Sequence, residues 1–290
     1  MITPQESQPE LASIIGVPEL YFKREDRHPY GSHKGRSIPS MIDTYVAQGD
    51  TTFAISSSGN AALAAALYIR ELNSRRESPL SLDIFIGGRI APHKKERLAV
   101  LADDHVRILT KENPLQALHM AVQQGLRSLR QSTDDVALAG YISLAEELSL
   151  IPHLGAVFIG TSSGTTAQAL AQYVIHKKLP VQIHIVQTSS CHPIADAFES
   201  SDLPDEISLA EAISDRTAHR KDTLVPLIIE TGGRGWHASN DYILTAQSLT
   251  TKHTGLSISP NSALSVVGLM KAVEIGYDLP GTVVCMICGE

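Results

Sequence analysis

Thr52-Phe53-Ala54-Ile55-Ser56-Ser57-Ser58-Gly59-Asn60-Ala61-Ala62-Leu63-Ala64-Ala65-Ala66 is the stretch on which the fold turns. An apolar, β-favouring run at 52–55 gives way to three serines and a glycine. An alanine-rich, helix-favouring run follows and reaches Arg70. The predicted unit is strand, tight turn, helix, with Ser58 as the expected N-cap. A helix start built from small residues presents backbone N–H groups that can hold a carboxylate. Standing alone, the segment reads as a capped helix start and nothing more.

The same alternation extends outward along the chain. Continuous apolar runs at 83–86, 106–109, 156–159, 181–186 and 282–287 read as strands covered on both faces. Ile38, Met41, Ile42, Tyr45 and Val46 follow helical spacing, with Gly49 as the stop. Similar patterns fill 93–102, 114–130, 141–150, 165–178, 241–252 and 262–275. Alternating strands and helices predict an α/β fold with mostly parallel sheets and right-handed crossovers. The polar stretch 200–223 is the expected long loop, and no internal repeat interrupts the pattern.

Composition narrows the function. The 290 residues are 43% hydrophobic, enough for a substantial core. A net charge of −7 and 5% aromatics argue against nucleic acid as a partner. No apolar run approaches the roughly 18 residues that span a bilayer, so no membrane partner is expected. Three sparse cysteines suit a reducing cytosol, and the expected location is cytoplasmic.

Most standard motifs are missing. No Gly-Lys dipeptide supports a phosphate-binding Walker loop, no His-Glu dipeptide supports a zinc helix, and no GxGxxG follows a strand. The twelve histidines show no ligand spacing, so no metal is expected. Cys285 and Cys288 form a CxxC, but an offset of three along a strand puts them on opposite faces. Gly160-Thr161-Ser162-Ser163-Gly164 fits the GxSxG of a hydrolase nucleophile elbow, between a strand and a helix. The same small residues also suit an anion-binding loop at a helix N-terminus. On this motif alone the two readings stand level.

Two further segments carry chemistry. In Leu20-Tyr21-Phe22-Lys23-Arg24-Glu25-Asp26 and Tyr30-Gly31-Ser32-His33-Lys34-Gly35-Arg36, an extended strand leads through a Gly-Ser turn to a lysine at a helix start. A positive helix end favours the neutral amine that Schiff-base chemistry uses. Near the far end, Ser257-Ile258-Ser259-Pro260-Asn261-Ser262-Ala263 precedes an amphipathic helix, and the chain closes on Val283-Val284-Cys285-Met286-Ile287-Cys288-Gly289-Glu290.

Taken in order, these segments resemble the fold-type II pyridoxal-phosphate enzymes. That superfamily includes threonine synthase, serine/threonine dehydratase, cysteine synthase and the tryptophan synthase β chain. LYFKRED…GSHKGR is similar to the family's lysine motif, and SSSGNAALAAA to its substrate-carboxylate and asparagine loop. GYISLAEEL and VFIGTSSGTTAQAL resemble the approach to the glycine-rich phosphate loop and the loop itself. The similarity covers nearly the whole chain and favours the anion-loop reading of residues 160–164.

The resemblance implies specific roles. Lys34 would carry pyridoxal 5'-phosphate as a Schiff base and later shuttle the substrate's Cα proton. Asn60 would hydrogen-bond the cofactor's 3′-oxygen, and Ser57, Ser58, Gly59 and Ala61 would cradle the substrate carboxylate. Gly160, Thr161, Ser162, Ser163, Gly164 and Thr165 would form the phosphate loop. Cys288 would stand beside the pyridine nitrogen, and His33, which replaces the commoner Phe, would reach the phosphate. Departures are the serines and threonines of the phosphate loop, Ser259 where many relatives carry glutamate, and Gly35 after the lysine.

The implied architecture is two three-layer α/β domains, with the cofactor in the interdomain cleft. Residues 1–35 plus 141–290 would form the large domain, and 36–140 a small mobile domain. The implied partners are a small-molecule amino acid and a second copy in a homodimer. The implied activity is a lyase acting by β/γ elimination or replacement. Threonine synthase-like conversion of O-phosphohomoserine ranks first, with Arg36, Arg234 or Lys94 as candidates for its second anion site. Serine/threonine dehydratase ranks second. Cysteine or tryptophan synthase-like replacement, a cofactor-binding protein with decayed catalysis, and a GxSxG serine hydrolase follow.

Overall fold

The computed structural model describes residues 2–88, 90, 92–199, 203, 204 and 206–289. In chain order the elements are β1 (Gln5–Ser7), α1 (Pro9–Ile15), β2 (Leu20–Arg24), α2 (Lys34–Ala47), β3 (Thr52–Ser56), α3 (Asn60–Asn73) and β4 (Ser81–Gly87). Then come α4 (Pro92–Ala99), β5 (Val106–Lys111), α5 (Pro114–Gln123), β6 (Arg127–Ser128), α6 (Val136–Ala139), α7 (Ile142–Ser149), β7 (Leu154–Gly160) and α8 (Thr165–His176). The chain finishes with β8 (Gln182–Thr188), α9 (Lys221–Glu230), β9 (Gly235–Ala238), α10 (Asn240–Thr254), α11 (Pro260–Glu274) and β10 (Thr282–Ile287). The fold is α/β with mostly parallel sheets, as the strand–helix alternation predicts.

Two compact units result. The outer unit comprises Met1–Arg27 with Tyr141–Glu290, and the inner unit is His28–Gly140. Residues 28–35, Lys34 among them, fall within the inner unit.

The outer unit has a six-stranded sheet in the order β1-β2-β10-β7-β8-β9. Only β1 runs antiparallel to its neighbour. Phe22, Ala156, Phe158, Val186, Trp236 and Cys285 share a core with residues of α1, α10 and α11. Alternate residues, including Val157, Ile159, Ile185 and Val284, are buried as well. Burial on both faces explains why these strands read as unbroken apolar runs. The last strand, β10, sits in mid-sheet between β2 and β7, with Cys285 level with Phe158 on β7. This register brings Cys288 and Thr161, each three residues further on, to the same carboxyl edge of the sheet. Carboxyl edges are where open α/β sheets place their ligands.

The inner unit has a four-stranded parallel sheet in the order β5-β4-β3-β6. Phe53, Ile55, Leu82 and Ile84 pack with residues of α2, α3 and α4 on one face. Ala54 and Phe85 meet Leu118 and Ala121 of α5 on the other. Because α2 leads into β3 and β3 into α3 through short connections, both helices run opposite to β3. Their N-termini therefore lie at the same end, beside the carboxyl end of β3.

Several local expectations are corrected. The helix expected over 114–130 stops at Gln123, Gly125 adopts φ +97°, and the chain re-enters the sheet as β6. Helix α9 and strand β9 were not foreseen. The described part of 200–223 up to Arg220 carries no regular element, and α9 begins at Lys221.

Candidate active site

The inner unit carries the amine. Ser32, Gly31 and His33 turn the chain after His28, and Lys34 opens α2. The Ser32 hydroxyl accepts from the Lys34 N–H at 3.3 Å, and the Ser32 carbonyl accepts from the Gly35 N–H at 3.0 Å. These bonds lock the backbone on which the Lys34 side chain stands. Gly35 has a steric reason: a Cβ there would lie 2.2 Å from Nδ1 of His28 and 3.0 Å from Cβ of Tyr30. The departure at residue 35 thus follows from a buried imidazole pressed against the helix start.

The serine–glycine loop expected to hold a carboxylate stands at the parallel start of α3. Asn60 is its first residue, and Gly59 occupies the N-cap without a side-chain bond. Ser58 is therefore not the cap. Instead Ser57 Oγ accepts from the Gly59 N–H at 3.3 Å, rounding the turn. A Cβ at Gly59 would meet nothing within 4 Å. Its absence is not a packing requirement, and it leaves the N–H groups of this helix end open to approach. Ser57, Ser58, Gly59, Asn60 and Ala61 are all partly exposed. Lys34 and Asn60 thus stand at neighbouring helix starts of one unit.

The outer unit carries the loop expected to hold an anion. Gly160 ends β7, Thr161 to Gly164 turn, and Thr165 opens α8. The first intrahelical bond runs from Gln168 N–H to the Gly164 carbonyl at 2.8 Å. The N–H groups of the preceding turn are thus the helix's orphan donors. Gly164 holds φ +86°, and a Cβ there would lie 2.6 Å from Cδ2 of Leu224. This position requires glycine whatever surrounds it. Ser163 and Thr165 hydroxyls lie 3.0 Å apart.

Two expected donors point elsewhere. Thr161 spends its N–H on the Val186 carbonyl (2.8 Å) and its hydroxyl on the Ile159 carbonyl (3.1 Å). Ser162 Oγ accepts from the N–H groups of Ser214 at 3.1 Å and Asp215 at 3.2 Å. The Ser162 hydroxyl oxygen is thus occupied as the acceptor that holds the loop at 214–215 against the start of α8.

Cys288 follows the end of β10 and is 6% exposed. Its neighbour Gly289 is stapled to the start of α11: Ser259 Oγ and Ser262 Oγ donate to the Gly289 carbonyl at 2.7 and 3.1 Å. Ser259 is also the N-cap of α11, accepting from Ser262 N–H at 3.1 Å. Ser259 therefore anchors the backbone of the residue that follows Cys288. Cys285 lies inside the core and donates to the Ser265 carbonyl at 3.4 Å; burial pushes its thiol far above the usual range.

Some site residues were not foreseen. Gln187 of β8 is fully buried; its Oε1 accepts from Ile194 and Ala195 N–H, and its Nε2 donates to the Ser162 carbonyl at 3.3 Å. It ties the anion loop to the next loop along the edge. Arg220 donates to Gln168 of α8 at 3.0 Å. Arg234, a candidate for a second anion site, instead donates to the Phe198 carbonyl at 3.0 Å and lies over the Trp236 ring.

The family model described as "Pyridoxal-phosphate dependent enzyme" matches residues 2–289. The chain belongs to this family. It is 26% identical to the threonine synthase of Methanosarcina acetivorans, over 99% of this chain and 74% of that one. Among solved structures, threonine deaminase isoform 2 from Solanum lycopersicum superposes with a TM-score of 0.81 at 19% identity. That match covers 99% of this chain and 83% of the other. Maize serine racemase superposes with a TM-score of 0.82 at 16% identity, covering 99% and 87%. Pyridoxal phosphate is the cofactor of this family member. The residues present fit its two ends. An aldehyde calls for a primary amine, a group Lys34 carries in the inner unit; a phosphate calls for convergent N–H donors, which a helix start such as that of α8 offers, with Gly164 at φ +86°. No helix among the described residues is long and apolar enough to cross a membrane.

Proposed function

We propose that this pyridoxal-phosphate-dependent enzyme is a carbon–oxygen lyase of the threonine synthase type. Its reaction would convert O-phosphohomoserine and water to threonine and phosphate. The observation that carries the reading is the alignment of 99% of the chain with a threonine synthase, with Lys34 and Asn60 at neighbouring helix starts.

When bound, the cofactor supplies an electron sink for the substrate's α-carbon. Lys34 Nζ holds the cofactor and moves the proton to and from Cα. The N–H groups at the start of α3, around Ser57, Ser58, Gly59 and Ala61, hold the substrate carboxylate, and Asn60 and His33 position the cofactor. The start of α8, from Ser162 to Thr165, holds its phosphate. Cys288 would offer a neutral thiol rather than a carboxylate to the cofactor's ring, a setting suited to loss of a β or γ leaving group. The proposed assembly is a homodimer, which light scattering on the eluted protein checks.

Incubation with O-phosphohomoserine should release phosphate and threonine in equal amounts, and the Lys34→Ala variant should release neither. Ketoacid and ammonia from serine or threonine, with no phosphate release, would replace this reading with a dehydratase.

A further inference from the structure

We propose that His192, Asp196 and His237 of the outer unit form a binding site for a divalent transition ion of the Zn2+ type. The site is independent of the cofactor reading. Asp196 lies four residues beyond His192, and its N–H donates to the His192 carbonyl at 3.1 Å, so one turn of chain presents both side chains together. His237 comes from β9, and its ring is buried.

The three ligand atoms already converge. Asp196 Oδ1 lies 2.5 Å from His192 Nδ1 and 3.1 Å from His237 Nε2. All three atoms are within 4.8 Å of one another. A tetrahedral ion with bonds of about 2.0–2.1 Å holds its ligand atoms roughly 3.3 Å apart. The Asp196–His237 edge is close to that spacing. The His192–Asp196 edge reaches it by a rotation of the exposed Asp196 side chain and the half-buried His192 ring. Two imidazoles and one carboxylate suit a borderline ion and leave a fourth position open, whereas Mg2+ and Ca2+ take oxygen ligands.

A second observation comes from behind His237. Its other nitrogen, Nδ1, faces Glu199 Oε2 at 4.0 Å. That oxygen is buried and, among the described residues, accepts no hydrogen bond. A carboxylate on the far nitrogen is how metal-bound histidines are oriented. The scaffold is rigid on both sides. Gln187 Oε1 holds the Ile194 and Ala195 N–H groups, and Lys271 Nζ donates to the His237 carbonyl at 3.0 Å.

The test is calorimetric titration of chelator-treated, desalted holoenzyme with ZnCl2, with MgCl2 as the comparison. One Zn2+ per chain with micromolar or tighter affinity is expected, and no comparable Mg2+ binding. Co2+ in place of Zn2+ should give the visible bands of a four-coordinate ion. His192→Ala and Asp196→Ala should each weaken Zn2+ binding at least tenfold, and Glu199→Gln about tenfold. The exposed-histidine controls His93→Ala and His119→Ala should leave it unchanged. His237→Ala removes a core ring, so the two surface-side variants carry the test, with circular dichroism to confirm their folding. Absence of stoichiometric Zn2+ binding, or binding indifferent to both His192→Ala and Asp196→Ala, would overturn the proposal.

Discussion

His184 is held neutral inside the outer unit, and acid should expose that. Its Nδ1 accepts from the Arg234 N–H at 3.3 Å and the Trp236 indole at 3.2 Å, while Nε2 lies 3.0 Å from Gln182 Oε1. Two donors on one nitrogen fix the tautomer: Nδ1 is the acceptor and Nε2–H donates. A proton on Nδ1 would face both donors. The ring also stacks on Phe158 with centroids 4.4 Å apart. Burial, with the Arg234 charge, holds the imidazole down to about 3 from an ordinary 6.5. Between these values the unfolded chain binds the proton and the folded chain does not. Stability therefore rises with pH across the window, is fully present above it, and is lost as pH falls from 6.5 towards 3. At pH 5 the loss relative to pH 7 is about 2 kcal/mol from this one site. Urea unfolding at pH 7, 6 and 5 measures it against His184→Asn, which does not titrate. The variant is less stable at pH 7, but its slope with pH should be shallower by about 1.4 kcal/mol per unit near pH 5. Equal slopes in the two proteins would mean that His184 is not held neutral in the folded chain.

Three other perturbations have defined outcomes. Gly35→Ala puts a Cβ 2.2 Å from His28 Nδ1. It should destabilise by ~1–3 kcal/mol and lower turnover by on the order of 100-fold through displacement of Lys34, with a smaller effect in a His28→Ala background. Lys23, fully buried, is paired with Glu147. Glu147→Gln should lower stability by ~3–5 kcal/mol in denaturant titration, and a change below about 1 kcal/mol would contradict a buried charge there. Ser162→Ala removes the acceptor of two loop N–H groups. It should destabilise by about 1 kcal/mol and leave most turnover intact, whereas a serine nucleophile would lose it entirely.

The parts of the fold legible in the sequence were those with a local signature. Strands buried on both faces show as apolar runs, and the starts of α2, α3 and α8 show as glycine and serine turns before a helical period. Strand β9 has only four residues, and β6 has two beyond a glycine that an apolar helical pattern runs through, so neither has a period to read. Helix α9 is masked by Pro226 and by the polar stretch before it. The candidate site divides the same way. Lys34, Asn60 and the α8 loop are local motifs. The His28 ring behind Gly35, the Gln187 bonds and the convergence of His192 with His237 join residues far apart in sequence, and they exist only once the sheets form.

Lys34 is the residue proposed to bind pyridoxal phosphate. Saturating the protein with the cofactor should turn it yellow, and borohydride should bleach it and fix the cofactor irreversibly. Peptide mass mapping of the reduced protein is the direct measurement. The mass increment is predicted on Lys34 alone and should vanish in Lys34→Ala. A colourless protein after cofactor addition, or a label on another lysine, would contradict it.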